Sequence, residues 1–104
     1  MFGLKEIVEN LEALGSAETI AAKLQSLGIR GQVNHCWFCP IARYISKQMK
    51  RSDLSIMVTN QWITAFNDDG RTKEYVLVSP ILKDFIIRVD STTMTGEFRE
   101  VIGE

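Results

Sequence analysis

The chain has little of what most catalytic and metal-binding sites need. It contains one histidine and two cysteines in 104 residues. The sequence also lacks a glycine-rich phosphate loop, a paired set of catalytic carboxylates and a dinucleotide-binding fingerprint. No apolar run approaches the roughly 20 residues that a membrane-spanning helix requires. We therefore expect a protein that is not an enzyme, holds no cofactor and does not enter a membrane.

The cysteine content and the first residues bear on the compartment. A chain of this length buries a core without disulfide staples, so two cysteines favour a reducing environment. Lys5 is followed by Glu6, Glu9 and Glu12, which is not the basic-then-apolar pattern of a secretory signal. We expect a single globular domain over residues 1–104, located in the cytoplasm.

Charge is unevenly distributed, although the net charge is only −1. Residues 1–18 are predominantly acidic, whereas residues 19–52 contain no acidic residue. The basic residues of that middle segment are Lys23, Arg30, Arg43, Lys47, Lys50 and Arg51. Such a segment either attracts an anionic partner or pairs with the acidic ends of its own chain.

Helical periodicity predicts a pair of amphipathic helices at the start of the chain. Apolar residues at helical spacing over residues 2–14 predict the first. Ser16 is a suitable N-cap for the second, and Gly28 followed by Ile29 is typical of a Schellman ending. We expect the two to form a helical hairpin.

The two prolines mark the starts of two further helices. Pro40 suits the first position of a third helix over about residues 40–49, which makes Cys39 its N-cap. Ser79 and Pro80 open a fourth helix in the same way.

Between the third and fourth helices the hydrophobic period changes to two. Short runs rich in β-branched and aromatic residues, at residues 54–59, 62–66 and 73–78, predict a three-stranded antiparallel meander. A threonine-rich loop and a short C-terminal helical turn carrying Phe98, Val101 and Ile102 complete the chain. The predicted fold class is α+β, with three N-terminal helices, the meander, a packing helix and that turn.

Two short motifs carry a resemblance. Gly28-Ile29-Arg30-Gly31, followed by Cys39-Pro40-Ile41-Ala42-Arg43-Tyr44-Ile45, resembles small uncharacterised bacterial and phage-borne proteins with a Cys-Pro-(Leu/Ile)-Ala-x-Tyr-(Leu/Ile) motif. Those proteins continue with a short sheet and a helix ending in an aspartate, as Val89-Asp90 does here. The resemblance covers about residues 17–102 and implies no activity. Only the second cysteine belongs to the motif, so the first cysteine and the histidine are features of this chain.

The segment His35-Cys36-Trp37-Phe38-Cys39-Pro40 is where chemistry would be concentrated. His35, Cys36 and Cys39 supply at most three zinc ligands, whereas structural zinc sites use four. A Cys-x-x-Cys pair at a helix start is also the redox arrangement of thioredoxin-like proteins. Those proteins place βαβ units around the motif, whereas here two predicted helices precede it and a meander follows. A Cys–His nucleophilic pair is disfavoured, because consecutive extended side chains point apart.

The favoured interpretation of this segment is structural. We expect Cys39 to be a small buried residue at the helix start, Cys36 to be a free thiol, and Trp37 and Phe38 to plug the core. Zinc or thiol chemistry at His35, Cys36 and Cys39 is the third functional hypothesis.

The third helix suggests a different partner. Apolar residues share one side of it, and the opposite side carries Arg43, Lys47, Lys50 and Arg51. Such a stripe neutralises phosphates in nucleic-acid-binding proteins. Basic residues are also favoured at helix C-termini without any partner. A small nucleic-acid-associated protein is the alternative hypothesis.

The meander has apolar residues on both faces. The second strand, for example, separates Trp62 and Phe66 from Ile63 and Ala65. Either helices cover both faces, or one face is left for a partner or a second copy. Ile87 also lies off the apolar stripe of its helix. The candidate contact residues are Met57, Ile63 and Ile87.

These observations favour a non-enzymatic protein-interaction or regulatory module. A protein partner or self-association through the sheet is the expected mode of action, ahead of nucleic-acid binding and of chemistry at the cysteines.

Overall fold

The structure is a computed structural model that describes residues 3–32, 37–50, 53–90 and 101–102. These residues form four helices and a three-stranded antiparallel sheet: α1 (Leu4–Glu12), α2 (Ala17–Ser26), α3 (Pro40–Met49), β1 (Leu54–Val58), β2 (Trp62–Asn67), β3 (Thr72–Leu77) and α4 (Pro80–Asp90). The predicted α+β class and element order are confirmed. Phe98, in the predicted C-terminal turn, lies outside the described residues.

Local signals explain where the first two helices end and begin. The Ser16 Oγ accepts a hydrogen bond from the Thr19 N–H at 3.2 Å, as an N-cap should. At the other end of α2, the Ile29 N–H donates to the Leu24 carbonyl at 3.0 Å. Gly28 lies between them at a φ of 70°, in the left-handed region that a residue without Cβ enters at little cost. This is the predicted Schellman ending.

The sheet has the strand order β1-β2-β3. A tight turn over residues 59–62 joins β1 to β2, and the Thr59 N–H donates across it to the Trp62 carbonyl at 2.9 Å. The register places Ile63 opposite both Val58 on β1 and Val76 on β3. Because side chains alternate along a strand, this register collects the buried apolar residues on one face. The apolar residues of that inner face are Leu54, Ile56, Val58, Ile63, Ala65 and Val76.

The helices form the second layer. α3 lies against β1, and α1 lies against β3 and α3, so both contribute to the core under the sheet. α2 packs mainly against α4, which also contacts α1. Arg88 of α4 reinforces that packing, since its guanidinium pairs with Glu18 of α2 and, at 3.2 Å, with Asp84 one turn earlier. The first two helices are neighbours in sequence and were expected to form a hairpin. The main packing partner of α2 is nevertheless α4 rather than α1.

The segment before α3 is held by a close backbone approach at Gly31. Its N–H donates to the Val101 carbonyl at 2.9 Å, and it forms a parallel bridge with Ile102. A Cβ at this position would lie 2.3 Å from the Pro40 nitrogen and 2.6 Å from the Phe38 carbonyl oxygen. Only glycine fits, because no L side chain tolerates backbone atoms at those distances.

Candidate protein-interaction surface

The face of the sheet opposite the helices carries large side chains. The register sets Thr64 between Met57 and Tyr75, and it sets Trp62 opposite Leu77. We call this surface the outer face; its side chains are those of Ser55, Met57, Trp62, Thr64, Phe66, Thr72, Tyr75 and Leu77. All of them are uncharged at neutral pH.

Three of these side chains are exposed despite their size. Trp62 is 41% exposed, Tyr75 63% and Leu77 66%. Thr64, at the centre of the outer face, is only 8% exposed, because the larger side chains around it exclude water. The register sets these exposed side chains beside one another, so they form a cluster rather than scattered residues. Large contiguous apolar surfaces mark interaction sites on proteins.

Trp37 and Phe38 extend this surface beyond the sheet. The ring of Trp37 lies 5.8 Å from that of Phe66, with the ring planes at 48°. Both Trp37 and Phe38 are exposed, so the expectation that they plug the core is wrong. The Trp37 ring packs against Phe66 on the outer face of the sheet, which is the side away from the core. An open groove of about 540 Å³ lies beside it, lined by Trp37, Phe38, Ser46, Leu54, Ser55 and Ile56.

The structure separates the three predicted contact residues. Met57 lies half-buried on the outer face, and Ile87 is exposed on α4, which packs mainly against α2 and α1. Ile63 is fully buried on the inner face, so its choice as a contact residue is wrong. The helices α1 and α3 cover the face that carries Ile63, and the pattern of the strand alone does not decide which face is covered. Trp62, Tyr75 and Leu77 were not among the predicted contact residues. Alternation groups Trp62 with Phe66 and Tyr75 with Leu77 within their strands, but which of these share a face with Met57 depends on the register between strands.

The basic stripe of α3 is only partly available to a partner. Lys47 and Lys50 are exposed at the C-terminal end of the helix. Arg43 is half-buried, and its Cζ lies 5.8 Å from the ring centroid of Phe38, within cation–π distance. Arg51 lies outside the described residues. The structure thus shows two exposed lysines and one arginine engaged with an aromatic ring.

Cys39 is a buried N-cap, as predicted. The Ala42 N–H donates to its Sγ at 3.4 Å, and Pro40 follows as the first helical residue. His35 and Cys36 lie outside the described residues, so zinc or thiol chemistry at His35, Cys36 and Cys39 stays a prediction. Within the described ranges, no group of three or more His, Cys, Asp or Glu residues is placed to hold a metal ion.

None of the helices in the described part of the chain has both the length and the apolarity needed to cross a bilayer. No known family model, curated protein or solved structure matches the chain. The resemblance to small bacterial and phage-borne proteins therefore stays a prediction, and function has to be argued from the geometry of the surface.

Proposed function

We propose that the protein is a non-enzymatic interaction module that binds a protein partner through its outer face. The observation that carries the proposal is the exposure of Trp62, Tyr75 and Leu77 on one uncharged surface. Removing apolar surface from water is worth about 25 cal/mol per Å², and aromatic side chains dominate the energetics of interfaces. These three side chains are the expected anchors for a partner.

The sheet holds these anchors in place before any partner arrives. Trp62 is on the central strand, paired on both sides, and Tyr75 and Leu77 are on the neighbouring strand. Side chains on a paired strand lose less conformational freedom on binding than side chains on a free loop, so more of the contact energy appears as affinity. A rigid aromatic surface is suited to recognition rather than to acid–base or nucleophilic catalysis.

The second hypothesis is a nucleic-acid partner at the basic stripe, and the exposure of Lys47 and Lys50 supports it. We rank it below the outer face because Arg43 already lies over Phe38. Zinc or thiol chemistry remains third. The cytoplasmic location that the cysteine content predicts is part of the same proposal.

The test is capture of a partner from cells in which the gene occurs naturally, with a photo-crosslinking amino acid in place of Tyr75. Trp62→Thr removes an anchor while keeping a residue with high strand propensity. Leu27→Thr is the matched control, because Leu27 is an exposed apolar residue at the end of α2.

We expect the tagged wild-type chain and the Leu27→Thr variant to capture the same protein in stoichiometric amount, and Trp62→Thr to lose it. Equal capture by all three would refute the outer face as the binding site. Loss of the partner on Lys47→Glu with Lys50→Glu, but not on Trp62→Thr, would favour the nucleic-acid hypothesis instead.

A further inference from the structure

The free edge of β3 is a second recognition feature, distinct from the outer face. Among the described residues β3 has β2 as its only neighbouring strand. The Val78 N–H donates to the Gln61 carbonyl at 3.0 Å, and Val76 lies opposite Ile63. Hydrogen-bonded positions alternate in an antiparallel ladder. The N–H and C=O groups of Tyr75 and Leu77 consequently point away from β2.

Within the described ranges, this edge is protected at one end and open at the other. Natural proteins block exposed edges with lysines, prolines and bulges, because a row of unpaired backbone groups is a template for another strand. The N-terminal end of β3 carries Lys73, and the register shifts beside it between Ala65 and Phe66. Tyr75 and Leu77, in contrast, are uncharged and among the most exposed large residues of the described chain.

We propose that two copies of the chain pair through their β3 strands, antiparallel and around a two-fold axis at Val76, to join two three-stranded sheets into one of six strands. The inference goes beyond the proposed function, because it requires the edge of β3 and not a partner on the outer face. A second copy is the occupant because the edge is self-complementary in both hydrogen bonding and side-chain character.

The hydrogen-bond pattern fits a two-fold axis. With Val76 on the axis, Tyr75 lies opposite the partner's Leu77, and Leu77 lies opposite the partner's Tyr75. Both residues direct their backbone groups outward, so each pair exchanges two hydrogen bonds, as the closely paired positions of an antiparallel ladder do. A shift of one residue would set outward-directed groups opposite inward-directed ones and lose this exchange.

The side chains fit the same register. Tyr75 and the partner's Leu77 would stand side by side on the outer face, as a cross-strand aromatic–aliphatic pair. Lys73 would lie opposite the partner's Ser79, and Glu74 opposite the partner's Val78, so like charges do not face each other. A register shifted by two residues instead places Lys73 beside the partner's Leu77. A shift by two residues in the other direction places Tyr75 beside the partner's Ser79. The axis at Val76 is therefore the register that pairs both Tyr75 and Leu77 with a large apolar or aromatic side chain.

The length of the open edge sets the expected affinity. Stable interfaces commonly bury about 1,200–2,000 Å² in total, and pairing through so few residues buries less. We therefore expect a dimer that dissociates in the micromolar range. Its two outer faces would form one surface with the Trp62 and Tyr75 rings of both copies on the same side.

The first test is sedimentation of the full chain from low micromolar to submillimolar concentration. Leu77→Pro removes an N–H that makes no bond to β2, so it should block the pairing while leaving the ladder within each sheet intact. Trp62→Thr changes the outer face but not the edge. We expect wild type and Trp62→Thr to dimerise with concentration, and Leu77→Pro to stay monomeric with an unchanged circular-dichroism spectrum.

The second test does not depend on the proline variant folding. Two variants are made in a Cys36→Ser background, one with Tyr75→Cys and the other with Leu77→Cys. The proposed register brings these two positions to about 5.5 Å between Cα atoms, which is within reach of a disulfide. We expect the mixture to form a disulfide-linked dimer at least tenfold faster than either variant alone.

Three results would overturn the inference. The first is a wild-type chain that is monomeric at every concentration. The second is an equal rate of cross-linking in the mixture and in the separate variants. The third is a monomer whose β3 edge binds an extended peptide instead of a second copy. Partner capture that is lost with Trp62→Thr would still support the proposed function in each case.

Discussion

Trp62 and Tyr75 contact each other edge to face on the outer surface of the sheet, with ring centroids 5.5 Å apart and ring planes at 68°. They are diagonal neighbours, because Trp62 lies opposite Leu77 and Tyr75 opposite Thr64. The contact fixes the two rings of the candidate interaction surface relative to each other and shields Thr64 from water. Aromatic pairs in this geometry contribute about 0.5–1.5 kcal/mol beyond the area they bury.

The first prediction is that the two rings stabilise the monomer jointly. Trp62→Thr and Tyr75→Thr should each lower the free energy of unfolding by about 1 kcal/mol. The double variant should lose about 0.5–1 kcal/mol less than the sum, since the ring contact is lost only once. Urea denaturation of the four proteins at low concentration measures this coupling. Strict additivity would contradict the contact.

The second prediction concerns Gly31. An added Cβ would lie 2.3 Å from the Pro40 nitrogen and 2.4 Å from the Cys39 carbonyl carbon, so the backbone has to move. Gly31→Ala should reduce stability by more than about 3 kcal/mol, or prevent folding. Gly3→Ala is the control, because its Cβ would meet only the Glu74 carboxylate at 3.4 Å. If Gly31→Ala and Gly3→Ala had similar melting temperatures, that result would contradict the close approach of Gly31 to the backbone of Cys39 and Pro40.

The sequence predicted the local features of the fold well, because each depends on a few neighbouring residues. Ser16 and Cys39 are the N-caps that their residue types and spacing indicate. Gly28 adopts the positive φ that a Schellman ending requires. The predicted bounds of α3 also agree with the structure, since Pro40 can stand only near the start of a helix.

Contacts between distant segments could not be predicted from the sequence pattern. Nothing in the pattern around Gly31 indicates its bridge to Ile102, because that pairing depends on how the rest of the chain folds. The error at Ile63 has a related cause. Alternation assigned it correctly to the face opposite Trp62, but both faces of the meander are apolar. Which face α1 and α3 cover is decided by tertiary packing, not by the strand itself.

The third prediction concerns the cap of α3. Cys39→Ser keeps an acceptor for the Ala42 N–H, and an oxygen is the stronger acceptor, so stability should change little. Cys39→Ala leaves that N–H without its partner and should cost about 1 kcal/mol. Thermal unfolding of both variants measures the difference. If Ser destabilises the protein more than Ala, packing around the sulfur matters more at this position than the cap.

The fourth prediction concerns alkaline pH. Burial raises the pKa of the Tyr44 hydroxyl above its usual value. Above about pH 10 the unfolded chain ionises this group while the folded chain keeps the proton, so ionisation favours unfolding. The protonated Tyr44 hydroxyl contributes its full stabilisation below about pH 10. That stabilisation is lost as the pH rises through the pKa of Tyr44 in the folded state. Tyr44→Phe should therefore flatten the fall of stability with rising pH.

Tyr75→Phe is the control for this measurement, because it removes a phenol from a side chain that is 63% exposed. The free energy of unfolding is compared at neutral pH and above pH 10 for the three proteins. An equal change of alkaline slope in both variants would contradict a specific role for the burial of Tyr44.

The fifth prediction concerns the basic stripe. Each phosphate neutralised by a protein contributes about −0.9 to the slope of log affinity against log salt on duplex DNA. Lys47 and Lys50 are exposed, but Arg43 is half-buried over Phe38, so few cations are available for phosphates. We expect no salt-dependent binding to DNA or RNA tighter than the micromolar range, measured by fluorescence anisotropy at two salt concentrations.

Charge-reversed variants separate a real site from general electrostatic attraction. Lys47→Glu with Lys50→Glu changes the stripe, and Lys5→Glu with Lys23→Glu makes the same change in net charge on α1 and α2. Both pairs should weaken residual binding to a similar extent, because weak attraction follows net charge. A nanomolar complex that depends steeply on salt, and that only the first pair abolishes, would make nucleic-acid binding the better hypothesis, with α3 as its contact surface.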